Sequence, residues 1–167
     1  MKDTYHFAFP TILGLTAIMF ADLAVAECSS RDARSGANKQ YSLDGDMVID
    51  NATGFVWARC SVGQRLSEGS TKCTGIVAKL TYDDATKAKW PAGWRLPKPD
   101  ELKTIVVADC ENPSIDSEVF PGTAPDPYWA VDDEGCWIVN FGPGTTYGPN
   151  SYLCGYGGLS AVRLVRE

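Results

Sequence analysis

Six cysteines lie along this chain of 167 residues, at positions Cys28, Cys60, Cys73, Cys110, Cys136 and Cys154. An even number of cysteines behind an export signal is typical of a disulfide framework formed in an oxidising compartment. The alternative, a structural zinc site, requires close pairs such as Cys-x-x-Cys. Here the closest two, Cys60 and Cys73, enclose twelve residues. The sequence therefore predicts three disulfides.

The N-terminal segment has the features of an export signal. Lys2 precedes an apolar run over residues 7–20, and residues 24–26 have the small-x-small pattern that signal peptidase cleaves. The run is too short for a stable transmembrane helix. A cytoplasmic protein with a buried N-terminal helix is the alternative, although no other part of the chain is apolar over such a length. We therefore expect a signal peptide over residues 1–26 and one mature domain over residues 27–167.

The composition of the expected mature domain limits its function. It carries 14 basic and 19 acidic residues, a net charge of −5, which disfavours nucleic acid or an anionic membrane as the main partner. The one histidine of the chain, His6, lies in the expected signal peptide. A domain without histidine lacks the base of Ser-His-Asp and Cys-His nucleophile pairs. An enzyme would then depend chiefly on paired carboxylates, so a non-catalytic function is favoured.

Local sequence patterns predict several short strands and helices. Residues 47–57 contain two β-branched and aromatic runs around a Gly-containing turn, which is typical of a β-hairpin. Thr81 opens a Thr-x-x-Asp capping pattern, which predicts a short helix over residues 81–90 that is stopped by Pro91. Three further segments have the composition of strands: residues 128–131, 136–141 and 161–166.

Residues 93–102, with the sequence GWRLPKPDEL, combine an arginine, two prolines and two carboxylates. The pattern predicts a second helix with Asp100 and Glu101 in its first turn, continuing to about Val107. Adjacent helical residues point in different directions around the axis, so the two carboxylates would not converge as a general acid and base. The sequence favours a structural role, in which Arg95 donates hydrogen bonds to backbone carbonyls or a carboxylate and fixes the loop.

An ordered series of motifs extends along nearly the whole expected mature domain: DNATGFVWARC, CTG, GWRLPKPDEL, NPSID, FP, YWAV, CWIVNF and a terminal VRLVR. This series, over residues 50–166, resembles the Lcl C-terminal domain family, named from a collagen-like bacterial adhesin. The WRLP element also resembles one in the sulfatase-modifying-factor group, whose fold is C-type-lectin-like. The resemblance implies an α+β, C-type-lectin-like domain with two short helices, an antiparallel sheet and long loops that present a binding surface. The adhesin domain is associated with sulfated glycans, but the acidic balance of this chain disfavours a polyanionic ligand.

The expected disulfide pairing joins Cys60 to Cys73, Cys136 to Cys154, and Cys28 to Cys110. The first pair rests on proximity in the sequence and would close a polar loop, a constraint that the chain-entropy model values at roughly 3 kcal/mol. The second pair follows the lectin-like resemblance, in which a strand cysteine holds the long loop. The third pair is what remains of the fifteen possible arrangements.

The segment between the last two predicted strands is long, rich in Gly and Tyr, and contains Cys154. A loop of such length inside a compact domain is usually functional or disordered. Its tyrosines Tyr147, Tyr152 and Tyr156, together with Trp129, could stack on sugar rings or anchor a protein partner. We expect these four residues to bind the ligand. The alternative is that Trp129 belongs to the core and that the tyrosines decorate turns.

Acidic side chains supply the candidate ligands for a hard cation such as calcium: Asp44, Asp46, Asp83, Asp84, Asp132, Asp133 and Glu134. The spacing of an EF-hand is absent from the sequence. We expect no cofactor. Calcium bound through residues 132–134 is the alternative to a solvated acidic turn.

Three classes of function fit these observations. The first is an exported, non-catalytic binding domain, periplasmic or secreted, that recognises a carbohydrate or protein ligand. The second is a periplasmic inhibitor or immunity protein that blocks an enzyme or toxin with its tyrosine-containing loop. The third is an enzyme, because the sulfatase-modifying relatives use free cysteines, although three disulfides would remove that route. We favour the first class, with no nucleic acid partner and no membrane span after removal of the signal.

Overall fold

The computed structural model describes residues 40–155 and 157–167. Within these residues the chain has an α+β fold with antiparallel sheets and short helices. The strands are β1 (Tyr41–Asp44), β2 (Met47–Asp50), β3 (Val56–Ala58), β4 (Gln64–Leu66), β5 (Cys73–Gly75), β6 (Pro127–Asp132), β7 (Gly135–Asn140), β8 (Thr145–Tyr147) and β9 (Val165–Arg166). The helices are α1 (Tyr82–Lys87), α2 (Pro99–Lys103) and α3 (Tyr152–Gly155). No helix in this part of the chain has the length and apolar character needed to cross a membrane. The expected signal peptide lies outside the described residues.

The first sheet has the strand order β1-β2-β3-β9. The predicted hairpin is confirmed as β2 and β3, with Val48 opposite Trp57 in the antiparallel register. In its turn, the Gly54 amide donates to the Asp50 carbonyl, and Gly54 has a φ of +79°, which glycine adopts without steric cost. Strand β1 was missing from the sequence-based prediction. A two-residue Gly-Asp loop, which favours tight hairpins, joins it to β2 and was the signal that could have revealed it.

The second sheet, β6-β7-β8, separates two parts of the hydrophobic core. Side chains alternate along a strand, so Tyr128 and its partner Val139 face one side, whereas Trp129 and its partner Ile138 face the other. The first pair packs with the cluster that includes Trp57 and the residues of the first sheet. The second pair packs with a cluster that also contains parts of α1 and of the C-terminal segment. Burial on both faces makes this sheet the centre of the molecule.

The C-terminal segment joins the two sheets, and it is less regular than the strand predicted over residues 161–166. The Ala161 carbonyl accepts from Trp129 of β6, whereas the Val162 and Leu164 carbonyls accept from Val62 and Ala58 on the other side. Because the segment alternates between two partners, only its last part, β9, forms a regular ladder. The segment therefore connects the two sheets through its backbone.

Arg163 is fully buried between the two sheets. Its Nη1 donates to the carbonyls of Ala58 and Arg59, both at 2.6 Å, and its Nη2 donates to the Thr123 hydroxyl at 2.7 Å. The guanidinium carbon also lies 4.9 Å from the centre of the Phe120 ring. Burial lowers the pKa of Arg163. These bonds satisfy backbone acceptors that would otherwise be unpaired in the core, where each orphaned group is costly.

Both predicted helices are present and both are shorter than expected. Helix α1 begins as predicted, since the Thr81 hydroxyl accepts from the Asp84 amide at 3.1 Å, but it ends at Lys87. The Trp90 indole N–H then donates to the Ala85 carbonyl and satisfies one of the acceptors left open at a helix end. Helix α2 ends at Lys103, where the Thr104 hydroxyl donates to a carbonyl of the preceding turn. Such side-chain bonds compete with continuation of the helix.

Two of the three predicted disulfides are confirmed. Cys60 is bonded to Cys73, and Cys136 is bonded to Cys154. The loop that the first of these closes contains strand β4, which pairs with β5 at its end, where the sequence had indicated a loop. Cys110 is also disulfide-bonded, but Cys28 lies outside the described residues, so the third pairing stays a prediction.

Candidate functional site

Residues 93–102, here called the joint, are organised around Arg95. The two terminal nitrogens of its guanidinium donate to the two carboxylate oxygens of Glu101 at 2.7 and 2.9 Å. Arg95 also donates to the Leu96 carbonyl at 3.2 Å and to Glu167 at 3.1 Å. The prediction that Arg95 fixes this loop through carbonyls and a carboxylate is confirmed. A bidentate pair of this kind is geometrically specific, since the planar fork matches the carboxylate.

The two carboxylates of the joint have separate environments, as predicted. Glu101 is buried and accepts from the Lys98 amide at 2.7 Å in addition to Arg95. Burial by itself raises the pKa of Glu101, but the hydrogen bonds from Arg95 and from the Lys98 amide outweigh it and lower the pKa. The same pairing raises the pKa of Arg95. Asp100 is exposed and pairs with Lys103 at 2.9 Å. The joint therefore contains no converging acid and base.

A cleft of about 530 Å³ lies beside the joint. We call it the joint cleft. Its lining residues come from three places in the chain: the end of α1, the joint with Glu167, and the turn between β6 and β7. The Val131 amide donates to the Pro97 carbonyl at 2.9 Å, which holds the β6 strand against the joint. The lining residues are Thr86, Trp90, Arg95, Leu96, Lys98, Val131, Asp132, Asp133 and Glu167.

The acidic turn between β6 and β7 is stabilised by its own hydrogen bonds. One carboxylate oxygen of Asp132 accepts from the Glu134 amide at 2.9 Å and from the Trp137 indole at 2.8 Å. Among the described residues, no group of three or more His, Cys, Asp or Glu side chains is arranged to hold a metal ion. The acidic side chains at residues 44, 46, 83, 84 and 132–134 are among the described residues and form no such group.

Residues 142–160, here called the tyrosine segment, carry most of the predicted binding residues. Instead of a featureless loop, the segment contains the edge strand β8 and the short helix α3. The structure brings two of the predicted residues to the surface: Tyr147 is 38% exposed and Tyr152 is 74% exposed. Tyr156 lies outside the described residues. Leu159, which the sequence did not single out, is 59% exposed on the same segment.

The structure places Trp129 in the core, 1% exposed. Its indole N–H donates to the Leu80 carbonyl at 2.7 Å, and its ring makes an edge contact with Tyr82 at a centroid distance of 5.6 Å. Trp129 is therefore a core residue, which was the alternative to a role in ligand binding. Because its ring and its N–H are both occupied, Trp129 lies outside the candidate binding surface.

Covalent and packing contacts fasten the tyrosine segment to the second sheet. The Cys136–Cys154 disulfide joins α3 to β7. A Cβ added at Gly148 would lie 3.1 Å from the Trp137 ring, so glycine allows the backbone to approach β7 closely. Strand β8 also pairs with β7, with Tyr147 opposite Ile138. The exposed tyrosines are presented by a segment that is anchored at several points.

These features describe a disulfide-bonded α+β domain with two candidate surfaces, the joint cleft and the tyrosine segment. The model of the Lcl C-terminal domain family matches residues 46–166. The chain belongs to the Lcl C-terminal domain family, as the sequence motifs indicated. No curated protein and no solved structure matches the chain.

Proposed function

We propose that this protein is an exported, non-catalytic binding domain that recognises a carbohydrate or protein ligand at the cell envelope through the tyrosine segment. The observation that carries the proposal is the exposure of Tyr147 and Tyr152 on a segment that a disulfide, the pairing of β8 with β7 and the close contact of Gly148 with Trp137 hold in place. Tyrosine combines a large apolar ring with a polar tip, which suits it to contact surfaces. A segment ordered in advance loses less conformational entropy when it binds.

Three further features support the proposal. The disulfides are typical of an oxidising compartment, which supports a periplasmic or secreted location. The resemblance of the WRLP element to the sulfatase-modifying-factor group, together with short helices, antiparallel sheets and an irregular C-terminal segment, supports a C-type-lectin-like arrangement. A binding function also agrees with the structural role of the joint, whose carboxylates are committed to Arg95 and Lys103.

The test uses a glycan array and an affinity pull-down from envelope extract, both with the full-length exported protein. A variant with Tyr147, Tyr152 and Tyr156 all replaced by alanine should bind the selected ligand at least about tenfold more weakly, because truncation at a hot spot typically costs about 2 kcal/mol or more. Circular dichroism should show an unchanged fold.

The matched control replaces Leu43 and Ile76 by alanine, since both are exposed apolar residues outside the tyrosine segment. This control should bind with unchanged affinity. Undiminished affinity in the tyrosine variant would place the binding surface elsewhere, most simply on the loop that the Cys60–Cys73 disulfide closes.

A further inference from the structure

We propose that the joint cleft is a second binding site, separate from the tyrosine segment, for a small zwitterion with an apolar side group, such as a free amino acid or a short peptide. The volume of the cleft, about 530 Å³, is within the range of small-molecule sites. This proposal does not depend on the proposed function of the tyrosine segment.

Three of the residues that line the joint cleft have apolar side chains: Trp90, Leu96 and Val131. Leu96 and Val131 lie beside the backbone hydrogen bond that joins Pro97 to Val131. Trp90 contributes the aromatic part of the lining, and its indole N–H is already donated to the Ala85 carbonyl at 3.1 Å. The tryptophan can therefore offer a ligand only the apolar surface of its ring. An apolar side group would be the part of a ligand that gains from contact with these residues.

Three charged residues of the joint cleft, Lys98, Asp132 and Asp133, belong to no ion pair among the described residues. Asp132 accepts hydrogen bonds from the Glu134 amide and the Trp137 indole, and the charge of Lys98 contributes to the lowered pKa of Glu101. Arg95, by contrast, already has Glu101 and Glu167 as partners. Lys98 and Asp133 therefore carry opposite charges in the cleft and form no ion pair with each other.

This distribution of charge favours a ligand that carries both signs. An anion would find Lys98 but would be repelled by Asp132, Asp133 and Glu167, and a cation would leave Lys98 unpaired. A zwitterion offers a carboxylate to Lys98 and an ammonium to Asp133, both of which line the cleft. The Thr86 hydroxyl donates to the Tyr82 and Asp83 carbonyls, so towards a ligand it is an acceptor, which also suits an ammonium.

The experiment is an NMR titration of the isotopically labelled exported protein with leucine and with the dipeptide Leu-Leu. We expect both to shift the signals of cleft residues, and we expect N-acetyl-leucine and leucinamide, which each lack one charge, to bind about tenfold or more weakly. Methyl β-glucoside, a neutral ligand with an apolar ring face, should not bind in the cleft. Failure of both zwitterions to shift cleft signals, or stronger binding of the glucoside there, would overturn the proposal.

Two charge variants test the assigned contacts, and both residues are exposed, so the fold should tolerate the changes. Asp133→Asn and Lys98→Gln should each weaken zwitterion binding by about tenfold. The matched controls are Glu134→Gln, the next residue of the same turn, and Lys103→Gln, which lies on α2 outside the cleft lining. Equal binding by both cleft variants and both controls would disprove the site. The tyrosine variant described above should bind the zwitterions normally, so the two proposals can fail independently.

Discussion

The main ion pair of the joint connects residues that are close in sequence, whereas the tyrosine segment is held by contacts between residues that are farther apart. In the joint, Arg95 and Glu101 are six positions apart and make two hydrogen bonds. In the tyrosine segment, the fastening disulfide spans 18 positions, and Gly148 packs on Trp137 of the neighbouring strand. The ion pair within the joint therefore depends on its own motif, and the contacts with Glu167 and Val131 join the motif to the rest of the domain. The tyrosine segment depends on the sheet that supports it.

Removal of the Cys136–Cys154 disulfide should have the largest effect. Replacement of both cysteines by serine should lower the free energy of unfolding by about 3 kcal/mol, because the cross-link constrains the unfolded chain. Chemical denaturation would measure the loss. Limited proteolysis should then cut within the tyrosine segment while the joint stays protected.

The matched control is the variant with serine at Cys60 and Cys73. It should lose a similar amount of stability, because its closed loop has a comparable length, but it should leave the tyrosine segment resistant. Equal cleavage of that segment in the two variants would show that the disulfide does not hold it locally.

Arg95→Ala should have the next largest effect, a loss of about 1 to 3 kcal/mol, because it leaves the buried Glu101 carboxylate without its main donor. Thermal and denaturant unfolding would measure this loss. Arg95→Lys keeps the charge but not the planar fork, so its free energy of unfolding should lie between those of the parent protein and of Arg95→Ala. An unchanged unfolding free energy in Arg95→Ala would contradict the structural role of the joint.

The pH dependence of stability should show the contribution of the Arg95–Glu101 ion pair as a smaller effect. The pKa of Glu101 is lowered in the folded protein, so its contribution is fully present above the unfolded value of about 4.3 and is lost as the pH falls through the folded pKa. The free energy of unfolding of the parent protein should therefore fall more steeply below about pH 4.3 than that of Glu101→Gln. Parallel pH profiles for the two proteins would count against the ionised pair.

Asp100→Asn should have the smallest effect, within about 0.5 kcal/mol, because the Asp100–Lys103 pair is exposed to solvent. Denaturant unfolding of Asp100→Asn and of Glu101→Gln, measured in parallel, would compare two neighbouring carboxylates of one helix. If Asp100→Asn lowered the free energy of unfolding as much as Glu101→Gln, burial would not explain the different roles of the two carboxylates.

Features that depend on a few neighbouring residues were predictable from the sequence. The Thr81 cap, the turn at Gly54 and the anchoring role of Arg95 all follow from side-chain chemistry acting within six positions or fewer. The Cys60–Cys73 bond followed from proximity, since the two cysteines are the closest pair in the chain. The family could also be predicted from the sequence, because its motifs occur in order along the chain.

The tertiary structure alone decided which aromatic residues reach the surface. Trp129 and Tyr147 occupy strands of one sheet, yet the first is covered by α1 and the C-terminal segment whereas the second lies on the edge strand β8. The joint cleft could likewise not be predicted from the sequence. It forms only where Val131 bonds to Pro97 and where the turn between β6 and β7 and the end of α1 line the same space. Residues that are distant in the sequence form these features, and no local preference of the chain encodes which partner covers a given side chain.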